Sequence, residues 1–203
     1  MSKTLIIPLI FLIATQGLAQ EGVPTSYEWR LPLKTTSRKD LSAIRWDPNG
    51  QFMARRYKHL HTGIDLMNQG AGEAVYAASC GKVVSLYATE PNKAVMIQHH
   101  LPSGQIVWTV YVHVTRIKVQ VGDVVTSKTV IAHLMNENQL DKYGWTFNHL
   151  HFEILKRPRK NKAGKYLSYS TKCKTKEEVR MHFLDPIGFL EKAWALERIS
   201  KKH

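Results

Sequence analysis

Cysteine is scarce, acidic residues are few, and after the first twenty residues no apolar run approaches membrane length. Two cysteines, Cys80 and Cys173, cannot supply a disulfide framework or a four-thiolate zinc site. Sixteen Asp and Glu face 29 Lys and Arg, which leaves the 203-residue chain at +13, with a pI near 9.8. Such a balance points to an anionic partner: nucleic acid, an acidic membrane surface or an anionic cell-wall polymer. No recognisable nucleic-acid-binding module accompanies the charge. Internal repeats and low-complexity linkers are absent, and the length accords with one domain. What is present is enough apolar material, 43% of residues, to build a core, so wholesale disorder is excluded.

The first segment reads as an address. Met1-Ser2-Lys3 is a short basic start, and residues 5–14 are ten uncharged, mostly apolar residues. That run falls short of the ~20 needed to span a bilayer and suits a secretory core region. Gly17-Leu18-Ala19 then offers a small-x-small cleavage site. The expectation is a signal peptide over 1–19 and an exported, monomeric product in the periplasm or outside the cell. An uncleaved membrane anchor is the alternative. Export would permit a Cys80–Cys173 bridge; two unrelated free thiols are the other reading.

Residues 20–58 carry Pro24, Pro32, Pro48 and an Asn49-Gly50 turn signal without sustained periodicity. From about 61 to 155 the chain reads as short strands separated by turns, at 74–78, 82–86, 94–99, 105–115, 117–121, 124–125, 130–134 and 147–155. A strongly basic stretch at 156–174 looks like a solvated insertion, and the region 156–184 separates the strands from the C-terminal end. Thr175-x-x-Glu178 is a capping-box pattern that opens a short helix. Ile187, Leu190 and Trp194 sit at helical spacing in a second. The expected architecture is all-β, a compact antiparallel sheet or sandwich with short C-terminal helices, comprising a segment at 20–58 packed on a domain at 59–203.

Histidines fall on strand faces. Alternation over 147–154 puts Leu150, Phe152 and Ile154 on one side and His149, His151 and Glu153 on the other. In His61-Thr62-Gly63-Ile64-Asp65, the residues His61, Gly63 and Asp65 share a face, and Gly63 leaves the space between the two polar groups open. In 110–114, three valines alternate with Tyr111 and His113, which predicts the valines buried and the other two facing out. Histidine and carboxylate are the ligands of catalytic zinc, usually three from the protein with one exchangeable position.

These three patterns, in this order, resemble the motifs of the lysostaphin/LytM-type zinc metallopeptidases, which hydrolyse peptide bonds in peptidoglycan. Residues 74–84, the hairpin 121–132 and Asp185-Pro186-Ile187-Gly188-Phe189-Leu190 are also similar to parts of that family. The resemblance implies that His61, Asp65 and His151 bind one Zn2+ per chain. It implies that His113 and His149 are the non-ligand catalytic pair. Glu153 is then either a partner that orients a ligand imidazole or a surface carboxylate.

Two features depart from the family pattern. Residues 135–148 form a longer loop before His149 than is usual, and 156–184 is inserted before Asp185. His59, His99, His100, His133 and His182 match no ligand position and read as structural or surface. Asn49 is a candidate to fill the open zinc position from the N-terminal segment. The leading expectation is a secreted zinc endopeptidase that cuts peptide cross-links of peptidoglycan, with no nucleic-acid partner. The alternatives are a non-catalytic regulator of wall hydrolases on the same fold and a cationic polyanion binder.

Overall fold

Antiparallel pairing organises nearly all of the strands into two sheets. The computed structural model describes residues 22–35, 37–44, 46–67, 70–145, 148–166 and 173–200. The segment 1–19, read as a signal peptide, lies outside them. The strands are β1 (Ile64–Leu66), β2 (Ala74–Tyr76), β3 (Gly81–Tyr87), β4 (Ala94–His100), β5 (Ile106–Val112), β6 (Val114–Thr115), β7 (Val124–Val125), β8 (Val130–Leu134), β9 (Leu150–Leu155) and β10 (Phe183–Leu184). Three helices join them: α1 (Glu137–Lys142), α2 (Lys176–His182) and α3 (Pro186–Ser200). The larger sheet runs β1-β9-β5-β4-β3-β7, and β10 pairs with β9 beyond the end of β1. The smaller sheet runs β2-β8-β6.

The main core lies between the sheets, as the alternation of apolar residues requires. Leu150, Phe152 and Ile154 of β9 meet Val75, Ile131 and Leu134 of the smaller sheet and Leu190 of α3, all nearly or fully buried. Trp29, Leu31 and Leu33 from the N-terminal segment join this core. That segment is tied to α3 by Trp194 Nε1, which donates to the Trp29 carbonyl at 2.9 Å. Glu197, almost fully buried, pairs with Arg30 at 3.1 Å and Lys39 at 2.6 Å.

The opposite face of the larger sheet is also covered, which the strand patterns did not reveal. A second cluster joins Leu60, Met96, Val110, Val112, Leu155, Cys173, Val179 and Phe183. Every residue of β9 is therefore buried, His151 and Glu153 included. Tyr111 does not face out: it is fully buried in the main core, where its hydroxyl oxygen accepts from Ala78 N–H at 2.8 Å. The valines at 110 and 112 share the face of His151 and Glu153, their direct cross-strand partners being Glu153 and His151. A sheet covered on both sides places apolar residues on both, so apolarity alone does not say which side is which.

Other expectations are adjusted by the backbone. The predicted strand 105–115 breaks at His113, whose φ of 65° turns the chain between β5 and β6. The predicted strand at 117–121 does not form; Arg116, at φ 44°, redirects the chain just before it. Residues 137–142, read as part of a long loop, form α1, opened by a capping box between Asn136 and Gln139. The capping box expected at Thr175 and Glu178 is present and opens α2. Cys80 and Cys173 are free thiols. Cys173 is buried in the second cluster, so the later part of the basic insertion covers the sheet; Arg157 and residues 159–165 are exposed.

Candidate metal centre

Strand register places two of the expected ligands side by side. Asp65 in β1 is the direct antiparallel partner of His151 in β9, and paired residues of this kind point to the same face. His61 precedes β1 and is fixed by reciprocal backbone bonds, its N–H to Ala54 and its carbonyl from Met53, both at 2.9 Å. The side chains converge: His61 Nε2 lies 2.8 Å from His151 Nδ1 and 3.1 Å from Asp65 Oδ1, which is 3.0 Å from His151 Nδ1. All three residues are buried.

Gly63 serves a purpose other than leaving open space between His61 and Asp65. A Cβ there would stand 2.3 Å from the Phe152 carbonyl oxygen and 2.9 Å from Glu153 Cγ. Only a residue without a side chain lets this segment approach β9 closely enough for His61 and Asp65 to reach His151.

Outer hydrogen bonds decide which nitrogens face inward. His61 Nδ1–H donates to the Gln51 carbonyl at 2.9 Å, which leaves Nε2 as the inward acceptor. His151 Nε2–H donates to Glu153 at 3.0 Å, and the Thr62 hydroxyl donates to the same carboxylate oxygen at 2.5 Å. Glu153 is fully buried, so it is an orienting partner and not a surface carboxylate. Burial opposes charge on both members of the Asp65–His151 pair, yet their hydrogen bonds prevail. His151, with Asp65 at one nitrogen and Glu153 at the other, is raised to about 9. Asp65 is held below the usual carboxylate range by His151 and His61.

Two imidazole nitrogens and one carboxylate oxygen, preoriented from outside, are the donor set of a catalytic zinc site, so these residues fit the ion. Among the described residues, His61, Asp65 and His151 are the group able to hold a metal.

His113 and His149 stand beside this group. Their ring centroids are 4.9 Å apart, and His113 is 6.1 Å from His151. His113 takes its left-handed backbone conformation here, and Nδ1–H donates to the Pro91 carbonyl at 3.0 Å. Burial, reinforced by His149 and His151, pushes His113 down to about 3. His149 is lowered as well, chiefly by burial. Trp145 supplies much of that cover, edge-on to His113 at 4.9 Å and stacked on His149 at 5.3 Å. At neutral pH both imidazoles are uncharged acceptors next to the candidate metal position.

All five histidine and aspartate positions singled out in the sequence therefore meet in one place. His99 is buried elsewhere, bonded to the Cys80 carbonyl and to Thr109. Asn49 is exposed in a turn, and its neighbour Gly50 packs towards Asp65. The sequence reading did not identify the Gln51 and Pro91 carbonyls, the cover provided by Trp145, or Arg56, whose Nη2 donates to Asp65 Oδ2 at 2.5 Å. Backbone carbonyls leave no sequence signature. Trp145 lies in the lengthened loop before His149, where no periodicity signals its contacts.

A family model described as peptidase family M23 matches residues 59–169, more than half of the chain. No curated protein sequence matches it. Among solved structures, it is similar to LytU at 22% identity, over 74% of this chain and 85% of that one, with a TM-score of 0.48. It is similar to the catalytic domain of the antimicrobial peptidase lysostaphin from Staphylococcus simulans at 21% identity, over 70% and 89%, with a TM-score of 0.46. Against a solution structure of lysostaphin the identity is 20% and the TM-score 0.44, over 72% of this chain but 56% of that chain.

Proposed function

Because the chain belongs to peptidase family M23, we propose that it is an exported zinc endopeptidase that hydrolyses peptide cross-links of bacterial peptidoglycan. The observation that carries this reading is the convergence of His61 Nε2, Asp65 Oδ1 and His151 Nδ1, with two neutral imidazoles alongside. His61 Nε2, Asp65 Oδ1 and His151 Nδ1 would hold zinc, which would supply the Lewis acidity to polarise a carbonyl and to lower the pKa of water to ~7.

The remaining chemistry belongs to the protein. Gln51 and Glu153 keep the ligand nitrogens facing inward. His113, with Nδ1–H committed to Pro91, presents Nε2 as a base for the attacking water. His149 stands beside His113 at 4.9 Å between ring centroids, and the single N–H of its neutral imidazole can donate a hydrogen bond to the developing oxyanion. Trp145 shields both imidazoles and restricts water around them. A non-catalytic scaffold predicts the loss of one or more of these positions, and all five are filled.

The test is digestion of purified sacculi with the full chain, with and without a chelator, followed by zinc restoration. Released muropeptides identified by mass spectrometry should carry newly cleaved cross-links. Metal analysis of His61→Ala and His151→Ala should show strong zinc depletion. Chelator-resistant digestion, or full zinc occupancy in either variant, would overturn the reading.

A further inference from the structure

Asp65 uses its two oxygens for different purposes. Oδ1 faces His61 and His151, whereas Oδ2 accepts from Arg56 Nη2 at 2.5 Å. The Asp65 side chain is 10% exposed and that of Arg56 31%, so the pair is partly shielded from water. Arg56 is not a loosely tethered surface group. Its backbone N–H donates to the His59 carbonyl at 2.8 Å, and Arg55 bridges Leu60, which closes a tight turn immediately before His61. On the other side, Gly50 packs towards Asp65 Cβ, where an added methyl would lie at 3.0 Å. The carboxylate is thus confined by the turn that delivers Arg56 and by the turn beneath it.

We propose that Arg56 is a positioning residue that restricts Asp65 to one-oxygen ligation and thereby biases the site towards zinc over larger, oxygen-preferring divalent ions. The inference rests on the metal-centre reading above. A free carboxylate can offer one oxygen or two, and manganese(II) favours oxygen-rich, higher coordination than zinc does. A guanidinium on Oδ2 removes the second oxygen from the ligand set and fixes the plane of the carboxylate. Its positive charge disfavours every divalent cation alike, so that effect cancels in a ratio of affinities. Geometry does not cancel. The ratio of zinc to manganese affinity therefore isolates the role assigned to Arg56.

The experiment uses the purified full chain stripped of metal and titrated separately with zinc, manganese(II) and cobalt(II). Arg56→Gln and Arg56→Met remove the cation, and either suffices if the other does not fold by circular dichroism. The zinc-to-manganese ratio should fall by about tenfold or more, in line with the usual effect of losing an outer partner of a ligand. Arg56→Lys, which restores a cation able to reach Oδ2, should recover part of it. Cobalt should give the intense visible absorption of four-coordination in the unmodified chain and the weaker bands of higher coordination in the neutral variants. A folded neutral variant with an unchanged ratio and cobalt spectrum would overturn the proposal while leaving the metal centre intact. Failure of the unmodified chain to bind zinc, or undiminished zinc binding by His151→Ala, would overturn the metal-centre reading and this proposal with it.

Discussion

Glu153, wholly buried, accepts the Nε2 proton of His151 at 3.0 Å and so turns Nδ1 towards Asp65 and His61. Outer partners of this type typically contribute 10–100-fold to metal affinity. Glu153→Gln should therefore weaken zinc binding by about that factor, measured by competition with a fluorescent chelator. Unchanged affinity in a folded variant would make Glu153 a purely structural group.

His113 and His149 should separate metal binding from turnover. His113→Ala and His149→Ala leave His61, Asp65 and His151 in place and should retain one zinc per chain by metal analysis. Positioned acid–base groups contribute ~10²–10⁴-fold, and each variant should lose activity on muropeptides within that range. Near-normal turnover in either would remove that histidine from the chemistry.

The alternation over 149–154 identified the site face because its apolar half packs into the main core. The same rule failed at Tyr111, two residues before His113, because the site face is itself lined by Val110 and Val112. The all-β class was readable from turn spacing, the sandwich followed from the family resemblance, and α2 was readable from its capping box. Helix α1 carried an equivalent signal at Asn136 and Gln139 that a six-residue span within a loop made easy to pass over. The grouping of His61, Asp65 and His151 was legible; the orientation of their side chains was not. It depends on main-chain atoms of Gln51 and Pro91 and on long-range contacts such as Arg56 with Asp65.

Acid should release the loop that supports His113. Glu90 accepts from Lys93 and from the Tyr143 hydroxyl, each at 2.8 Å, and next to it Pro91 holds His113. Those bonds, the Lys93 bond foremost, lower Glu90 from 4.5 to about 2. A carboxylate depressed in the folded state stabilises fully above its unfolded value and loses that contribution as pH falls towards the folded one. The stability difference between the unmodified chain and Glu90→Gln should thus be constant from pH 6 to 8, and should shrink between about 4.5 and 2. Denaturant unfolding across that range is the measurement, and a pH-independent difference would refute the assignment.

The exposed turn after β9 holds six Lys and Arg between 156 and 165 and no acidic residue. Asn161 Oδ1 accepts from Ala163 and Lys165, both at 3.0 Å, which gives the turn a defined shape. Exposed charges act over about one Debye length, ~8 Å at physiological salt, and should speed encounter with anionic wall without altering the chemical step. Neutralising Lys156, Arg157, Arg159, Lys160 and Lys162 should weaken binding to sacculi and flatten its salt dependence. Turnover of a small soluble cross-linked peptide should stay the same. A collapse in that turnover with zinc retained would place the turn in the catalytic groove.

The Gln51 carbonyl reaches His61 and Arg56 reaches Asp65 from upstream of the 59–169 match, and Cys173, Val179 and Phe183 close over the site's face from downstream. A fragment excised at the limits of the family match would keep His61, Asp65 and His151. It would lose the anchor that selects the His61 tautomer, the clamp on Asp65 and the apolar cover over β9. A piece of this chain that keeps these contacts has to begin before residue 51 and extend past residue 183, outside the 59–169 match on both sides.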